Sequence, residues 1–183
     1  IHGECDMHIH ELLDGTSRAG TAFMKDGELV VEDVKPVEDM DKLPLPSWDL
    51  LPLDKYTYPL LGQGVITMQT SRGCPFPCSY YCPYPLVEGN VWRGQSPERV
   101  VREIEELVTK YGVRKILFRD ATFTFNKERI HNICDLIIDR QLQVTWWCET
   151  RVDRLDERLL EKMKQAGCAG INIGVETGDR KVM

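Results

Sequence analysis

The sequence predicts an α/β protein built on a parallel sheet, and three observations carry that expectation. From Val65 onward, short β-branched apolar runs alternate with stretches whose apolar residues recur at helical spacing. Each helical stretch opens on a capping residue, Ser96, Asn126 or Asp156, so its start is written locally as well as in the hydrophobic pattern. Hydrophobic residues make up 42% of the 183, enough for a real core. Strand and helix repeating in this way means βαβ units, whose strands run parallel and whose chemistry gathers at the strands' carboxyl ends.

Net charge is −6, with acids and bases interspersed and no basic run, which argues against nucleic-acid binding through phosphate neutralisation. No apolar run is long enough for a membrane span and no signal peptide is visible, so a cytoplasmic protein is expected. Seven unevenly spread cysteines fit metal-bound thiols in a reducing compartment better than a disulfide framework. The chain lacks an initiator Met and starts and stops without polar tails, so it reads as a stretch of a longer protein.

Residues 1–15 hold Gly3-Glu4 and then Met7, Ile9, Leu12 and Leu13, a short amphipathic pattern that Gly15 ends as a helix cap. His2, His8 and His10 have no surrounding ligand pattern and are assigned to surface or packing roles. Within residues 16–64, Lys25-Asp26-Gly27 separates Thr21-Ala22-Phe23 from Leu29-Val30-Val31 and predicts a small hairpin. The run Leu43-Pro44-Leu45-Pro46-Ser47-Trp48-Asp49-Leu50-Leu51-Pro52 is too proline-rich for regular structure. It reads as a linker packed on a neighbour by Trp48 and the leucines.

Residues 65–69 form the first strand of the predicted sheet. Ser96-Pro97 starts a helix carrying Val100, Val101, Ile104, Leu107 and Val108, ended by Gly112. Residues 115–119 make the second strand, and Asn126 caps a helix with Ile130, Ile133, Cys134, Ile137 and Ile138. The third strand is 144–148. Asp156 caps a helix with Leu159, Leu160 and Met163 that Gly167 ends, and 169–175 is the fourth strand. The strand ends are polar: Arg119-Asp120-Ala121-Thr122, Glu149-Thr150-Arg151-Val152-Asp153 and Glu176-Thr177-Gly178-Asp179. Cys134, Cys148 and Cys168 are assigned to core packing. Of Trp146-Trp147, one side belongs to the core and the other is free to line an active site.

The first strand runs into Thr70-Ser71-Arg72-Gly73-Cys74-Pro75-Phe76-Pro77-Cys78-Ser79-Tyr80-Tyr81-Cys82-Pro83-Tyr84-Pro85, where three cysteines recur every four residues. That spacing would place the thiols on one helical face, but Pro75, Pro77 and Pro83 forbid a continuing helix, so a stiff loop is predicted. Thiolates at this density select zinc, Cu(I) or an iron–sulfur centre. Two readings stand. Three protein ligands leave a position open for an exchangeable group, or a fourth ligand such as Cys148 closes a structural zinc tetrahedron without catalysis.

Cys74, Cys78 and Cys82 followed by strand–helix units resemble the radical S-adenosylmethionine (radical SAM) enzymes. More narrowly, Leu43 to Pro52, the Thr70-Ser71-Arg72-Gly73-Cys74-Pro75-Phe76 approach and Gly174-Val175-Glu176-Thr177-Gly178 resemble the subgroup with an N-terminal cobalamin-binding domain. The resemblance covers nearly the whole chain. It implies that 1–15 is the tail of a cobalamin-binding domain, its last strand and helix, and that 16–64 is a connector. Residues 65–183 would then be the N-terminal part of a radical SAM barrel, a partial (βα) barrel of about four of six units. The bulk of the cobalamin domain and the last two barrel units lie outside this stretch. One departure is plain: Ser79-Tyr80-Tyr81 puts three residues between the second and third cysteines, where the family usually has two. Extra loop length is a modest entropic matter, and the cluster is expected to survive it.

By the same resemblance, Cys74, Cys78 and Cys82 hold a 4Fe-4S cluster through three irons, and the fourth iron chelates the amino and carboxylate groups of S-adenosylmethionine. Reduction then cleaves the sulfonium and yields a 5′-deoxyadenosyl radical that takes a substrate hydrogen. Tyr81 would pack near the adenine, or Tyr80 in its place. Asp120 suits the methionyl ammonium, Arg151 its carboxylate, and Glu176 and Thr177 the ribose hydroxyls or the amino group. Structural alternatives stand beside these: Asp120 as a turn cap, Arg151 paired with Asp153 or Glu149, Glu176 solvated. No catalytic residue beyond the cluster is assigned. Cobalamin, held mostly outside this stretch, an electron donor such as flavodoxin or ferredoxin, and a small-molecule or lipid substrate complete the expectation. The reaction would be methyl transfer or rearrangement, and this stretch by itself would be inactive with its sheet edge open.

Overall fold

A computed structural model of the chain describes residues 3–78 and 81–181. The expectations for His2, for Ser79 in the lengthened loop and for Tyr80 beside the adenine therefore lie outside the described residues. The chain forms two compact units, one of Ile1–Pro44 with Ser71–Gly94 and the other of Leu45–Thr70 with Gln95–Met183.

The first unit opens with α1 (Ile9–Leu13), a single short turn that Asp14 closes by donating its N–H to the His10 carbonyl at 3.0 Å. The strand expected ahead of it does not form among residues 3–8. The hairpin does form. β1 (Ala22–Lys25) pairs antiparallel with β2 (Glu28–Val31), and Asp26 and Gly27 between them take φ of 52° and 83°, the doubly positive turn that matches strand twist.

The proline-rich run, in the second unit from Leu45 on, holds only single 3₁₀ turns, Trp48–Leu50 and Leu53–Lys55. Trp48 is buried in that unit's core, but Leu50 and Leu51 are 77% and 42% exposed. The linker is thus anchored by its indole and not by these two leucines. A two-residue hairpin, β3 (Thr57–Tyr58) with β4 (Gly62–Gln63), leads into β5 (Val65–Met68).

Within the first unit, β6 (Ser71–Arg72) and β7 (Arg93–Gly94) pair antiparallel and carry between them the cysteine loop and α2 (Tyr84–Val87). This last helix corrects the expectation of loop through Pro85. Pro83 stands at its N-cap and Pro85 in its first turn, where the missing N–H has no helical partner anyway.

The second unit continues as predicted: α3 (Pro97–Lys110), β8 (Lys115–Phe118), α4 (Lys127–Asp139), β9 (Thr145–Thr150), α5 (Glu157–Gln165) and β10 (Cys168–Ile173). The strands stand in the order β10-β9-β8-β5, all neighbours parallel. The three foreseen caps are made: Ser96 Oγ accepts from Arg99 N at 3.2 Å, Asn126 Oδ1 from Arg129 N at 3.0 Å and Asp156 Oδ1 from Leu159 N at 2.9 Å. Val100, Ile104, Leu107, Ile130, Ile133 and Leu159 present the helices' apolar faces to Ile66, Met68, Ile116, Phe118 and Trp146. Phe118 stacks on Phe123 at 4.6 Å, and Trp146 meets Phe118 edge-on at 5.5 Å.

β10 ends at Ile173, short of the predicted Val175. Its parallel partner β9 ends opposite it at Thr150, and beyond it Val175 is left 73% exposed and Glu176 takes a φ of 59°. Among the described residues no helix is long and apolar enough to cross a membrane, and the seven cysteines are free thiols.

Candidate functional site

In the first unit the site is the loop between β6 and β7. Cys74, Cys78 and Cys82 all line one cleft of about 530 Å³, together with Phe76, Tyr81 and Leu86, and among the described residues no charged one stands in its wall. Cys74 is 6% exposed and donates its N–H to the Gly89 carbonyl at 3.1 Å, while Cys78 N–H reaches the Phe76 carbonyl at 2.9 Å. The donor set fits a soft sulfur-ligated centre: three thiols, apolar surroundings and no competing carboxylate. They share the cleft without yet converging, since no three His, Cys, Asp or Glu side chains among the described residues are grouped to hold an ion. Tyr81 lines the same cleft and is 65% exposed.

The stem of this loop is tied by charges that no local pattern in the sequence announces. Arg72 on β6 and Arg93 on β7 stand directly opposite one another. Glu4, buried, accepts from both: Arg93 Nη2 at 2.5 Å and Nη1 at 3.0 Å, and Arg72 Nη1 at 3.2 Å. Asp6 takes Arg72 in bidentate fashion, from Nη1, which it shares with Glu4, at 2.7 Å and from Nη2 at 3.1 Å. Burial alone would raise the Glu4 carboxyl, but hydrogen bonds from Arg93 and from the Val37 amide outweigh it and hold the group below its ordinary range. Hydrogen bonds from Arg72 do the same for Asp6.

In the second unit the predicted strand-end residues are placed as follows. Asp120 is fully buried, and its Oδ1 accepts from Thr70 Oγ1 at 2.9 Å and Thr70 N at 3.1 Å. The Thr70 carbonyl in turn accepts from Gln95 N at 2.9 Å and Arg129 Nη2 at 3.0 Å, and Arg129 Nε donates to the Gln95 carbonyl at 2.6 Å. The two residues flanking the cysteine loop's stem are therefore pinned to each other and to the ends of β8 and α4. Arg151 forks onto Asp153 at 2.9 and 3.1 Å, one of the pairings foreseen for it. Glu149 pairs instead with Arg119. Glu176 is exposed, and Thr177 Oγ1 accepts from Asp179 N at 3.0 Å.

Trp146 is buried and donates Nε1–H to the Ala166 carbonyl at 2.8 Å. Trp147, on the opposite face of β9, lies against Gly170, where an added Cβ would come within 2.7 Å of its ring. Cys134 and Cys148 are fully buried, and Cys168 is half-buried. Burial pushes the Cys134 thiol up to about 12. Cys148 is raised first by its hydrogen bond with Cys168 and then by burial, so it stays a thiol in the core.

A parallel βα sheet whose first strand leads into a thiol-rich crossover is the class of protein these features define. A profile of the Radical SAM superfamily matches residues 68–183. The chain is 35% identical over 191 residues to an uncharacterized methyltransferase of Pyrococcus horikoshii, covering 100% of this chain and 41% of that protein. It is 32% identical over 154 residues to the anaerobic magnesium-protoporphyrin IX monomethyl ester cyclase of Rubrivivax gelatinosus, covering 82% of this chain and 27% of that protein. In fold it matches the cobalamin-dependent S-adenosylmethionine radical enzyme OxsB at a TM-score of 0.72 and 21% identity, covering 96% of this chain and 27% of that one. It also matches the radical S-adenosylmethionine methyltransferase TsrM of Kitasatospora setae at 0.70 and 18%, covering 98% of this chain and 38% of that one. The chain belongs to the Radical SAM superfamily of enzymes. It spans less than half the length of these curated relatives.

Proposed function

We propose that this chain is the N-terminal part of the catalytic barrel of a cobalamin-dependent radical SAM enzyme, with the tail of the cobalamin-binding domain at 1–15 and a connector at 16–64. The observation that carries the reading is the placement of Cys74, Cys78 and Cys82 on one uncharged cleft in the crossover that follows the first strand of a parallel sheet. These three thiolates would hold a 4Fe-4S cluster and leave one position for S-adenosylmethionine. Bound there, the two cofactors supply one-electron cleavage of a sulfonium bond, with cobalamin as the methyl carrier where the reaction is methylation. The protein's part is to ligate, orient and exclude water. Tyr81 offers a ring for the adenine, and Arg151 a planar fork for the methionyl carboxylate once it releases Asp153. Glu176 and Thr177 offer acceptors for the amino group or ribose. Asp120, bonded to Thr70, serves the site by fixing the end of β5.

The named relatives include a methyltransferase and a cyclase, which favours methyl transfer or a carbon-skeleton rearrangement of a small-molecule or lipid substrate. A flavodoxin or ferredoxin would deliver the electrons. Anaerobic reconstitution of the full-length protein should give about four irons per chain and a visible absorption shoulder. Cys78→Ala should lose both the cluster and S-adenosylmethionine cleavage. A Cys78→Ala protein that kept both, or stoichiometric zinc without sulfide after purification, would defeat the reading.

A further inference from the structure

We infer that Glu4 is a positioning residue for the cysteine loop: one buried carboxylate locks both strands of the β6–β7 hairpin that presents the thiols. The inference rests on reading Cys74, Cys78 and Cys82 as cluster ligands.

The hairpin is too short to hold itself. Each strand has two residues, and so few ladder bonds give no independent stability. Its cross-strand pair is Arg72 opposite Arg93, two like charges whose repulsion works against the pairing. An anion between them reverses the sign, and Glu4 is that anion. Its Oε1 and Oε2 take the Arg93 fork in bidentate fashion, and Oε2 also accepts from Arg72 Nη1 and from Val37 N at 3.0 Å.

From Glu4 the bonding runs on to the thiols. Arg93 Nη2 donates to the Glu88 carbonyl at 2.6 Å, and Glu88 Oε2 accepts from Gly73 N at 3.1 Å, one residue before Cys74. Arg93 Nη1 donates to the Val37 carbonyl at 2.6 Å. The loop is thus held at both ends of its stem by a lattice that converges on a side chain from another part of the chain. The Glu4 side chain is 6% exposed and those of Arg72 and Arg93 are 15% and 11% exposed, so water cannot substitute for the missing anion when Glu4 is removed.

The experiment uses the full-length protein, anaerobically reconstituted, and compares wild type with Glu4→Gln. Three quantities are read: iron release to a ferrous chelator, the electron paramagnetic resonance spectrum of the reduced cluster, and thermal unfolding. Glu103→Gln is the control, because it makes the same change at a buried ion pair in the second unit, where Arg99 Nη1 lies 3.3 Å from Glu103. Glu4→Gln should release iron about tenfold faster, as loss of an outer-shell partner does at metal sites, and its spectrum should change. Glu103→Gln should leave both at wild-type values. Wild-type iron release and spectrum in folded Glu4→Gln overturn the inference, as does equal acceleration in Glu103→Gln. If Glu4→Gln does not accumulate folded, Arg72→Lys takes its place, keeping the charge and losing the fork, and wild-type release there overturns the inference as well. A wild-type protein that takes up no iron sinks the cluster reading itself, a result distinct from any of these.

Discussion

Gly73 sits at φ 81°, and an added Cβ would stand 2.0 Å from the Val91 carbonyl oxygen, a backbone atom with nowhere to retreat. The left-handed backbone alone disfavours any other residue by about 1–2 kcal/mol. Gly73→Ala should therefore displace the first cysteine, and iron per chain should fall well below wild type while the helical signal of the second unit persists. Gly178→Ala, where the methyl would meet nothing within 4 Å, should leave the helical signal and the thermal unfolding midpoint unchanged. Iron loading of Gly73→Ala equal to wild type would refute the assignment. Single residues of this kind were partly legible beforehand. Ser96, Asn126 and Asp156 announced their caps because capping is a matter of three residues of local sequence. The three cysteines announced themselves by spacing. Glu4 did not, because its partners Arg72 and Arg93 lie 68 and 89 residues away and no local pattern records a pairing over that span. Arg129 escaped for the same reason: its acceptors are backbone carbonyls at Thr70 and Gln95, which any sequence supplies.

At the scale of elements, helical periodicity located α3, α4 and α5, and β-branched runs located the four strands. In a layered βα fold one face of every element is buried, and burial imposes the period. Where little is buried, the pattern gave less. Helix α2 buries no residue, so no apolar period marks it, and the exposed Leu50 and Leu51 read as apolar although nothing covers them. The end of β10 moved because its partner β9 stops at Thr150, opposite Ile173, and a strand's length is set by the strand it pairs with, which no composition records. The same reasoning ranks the elements by cost of damage. Ile104 on α3 is fully buried against the sheet, so Ile104→Ala should destabilise the second unit by about 2–5 kcal/mol through lost burial and a residual cavity. Leu50→Ala, at 77% exposure, should change the denaturation midpoint little. Chemical denaturation of the two variants checks this, and comparable losses would mean that the core is not where the helical faces place it.

For the molecule as a whole, acid acts on the two units through carboxylates shifted in opposite directions. In the first unit Glu4 and Asp6 titrate below their ordinary values of 4.5 and 3.8. Stability from a lowered carboxyl is fully present above the unfolded value and is lost as pH falls through the folded one. The lattice around Arg72 and Arg93 should therefore hold at neutral pH and fail only in strong acid. In the second unit Glu103 is shifted the other way: burial raises it, against the opposing pull of Arg99. Its ionised form costs stability at neutral pH, and protonation relieves that cost as pH falls. The remaining lowered carboxyls there, Asp153 and Asp156, are held by Arg151 and Lys127 in solvent-exposed pairs and add little. Hydrogen exchange measured stepwise from neutral pH down, corrected for intrinsic rates, should show β6 and β7 losing protection only as pH falls below the ordinary carboxylate range, while α3 and β8 keep theirs at the same pH. In Glu4→Gln, which has no carboxyl to protonate at that position, β6 and β7 should be less protected at neutral pH and should lose less on acidification. Simultaneous loss in both units, or an unchanged acid profile in Glu4→Gln, would show that the fold's acid response comes from other groups.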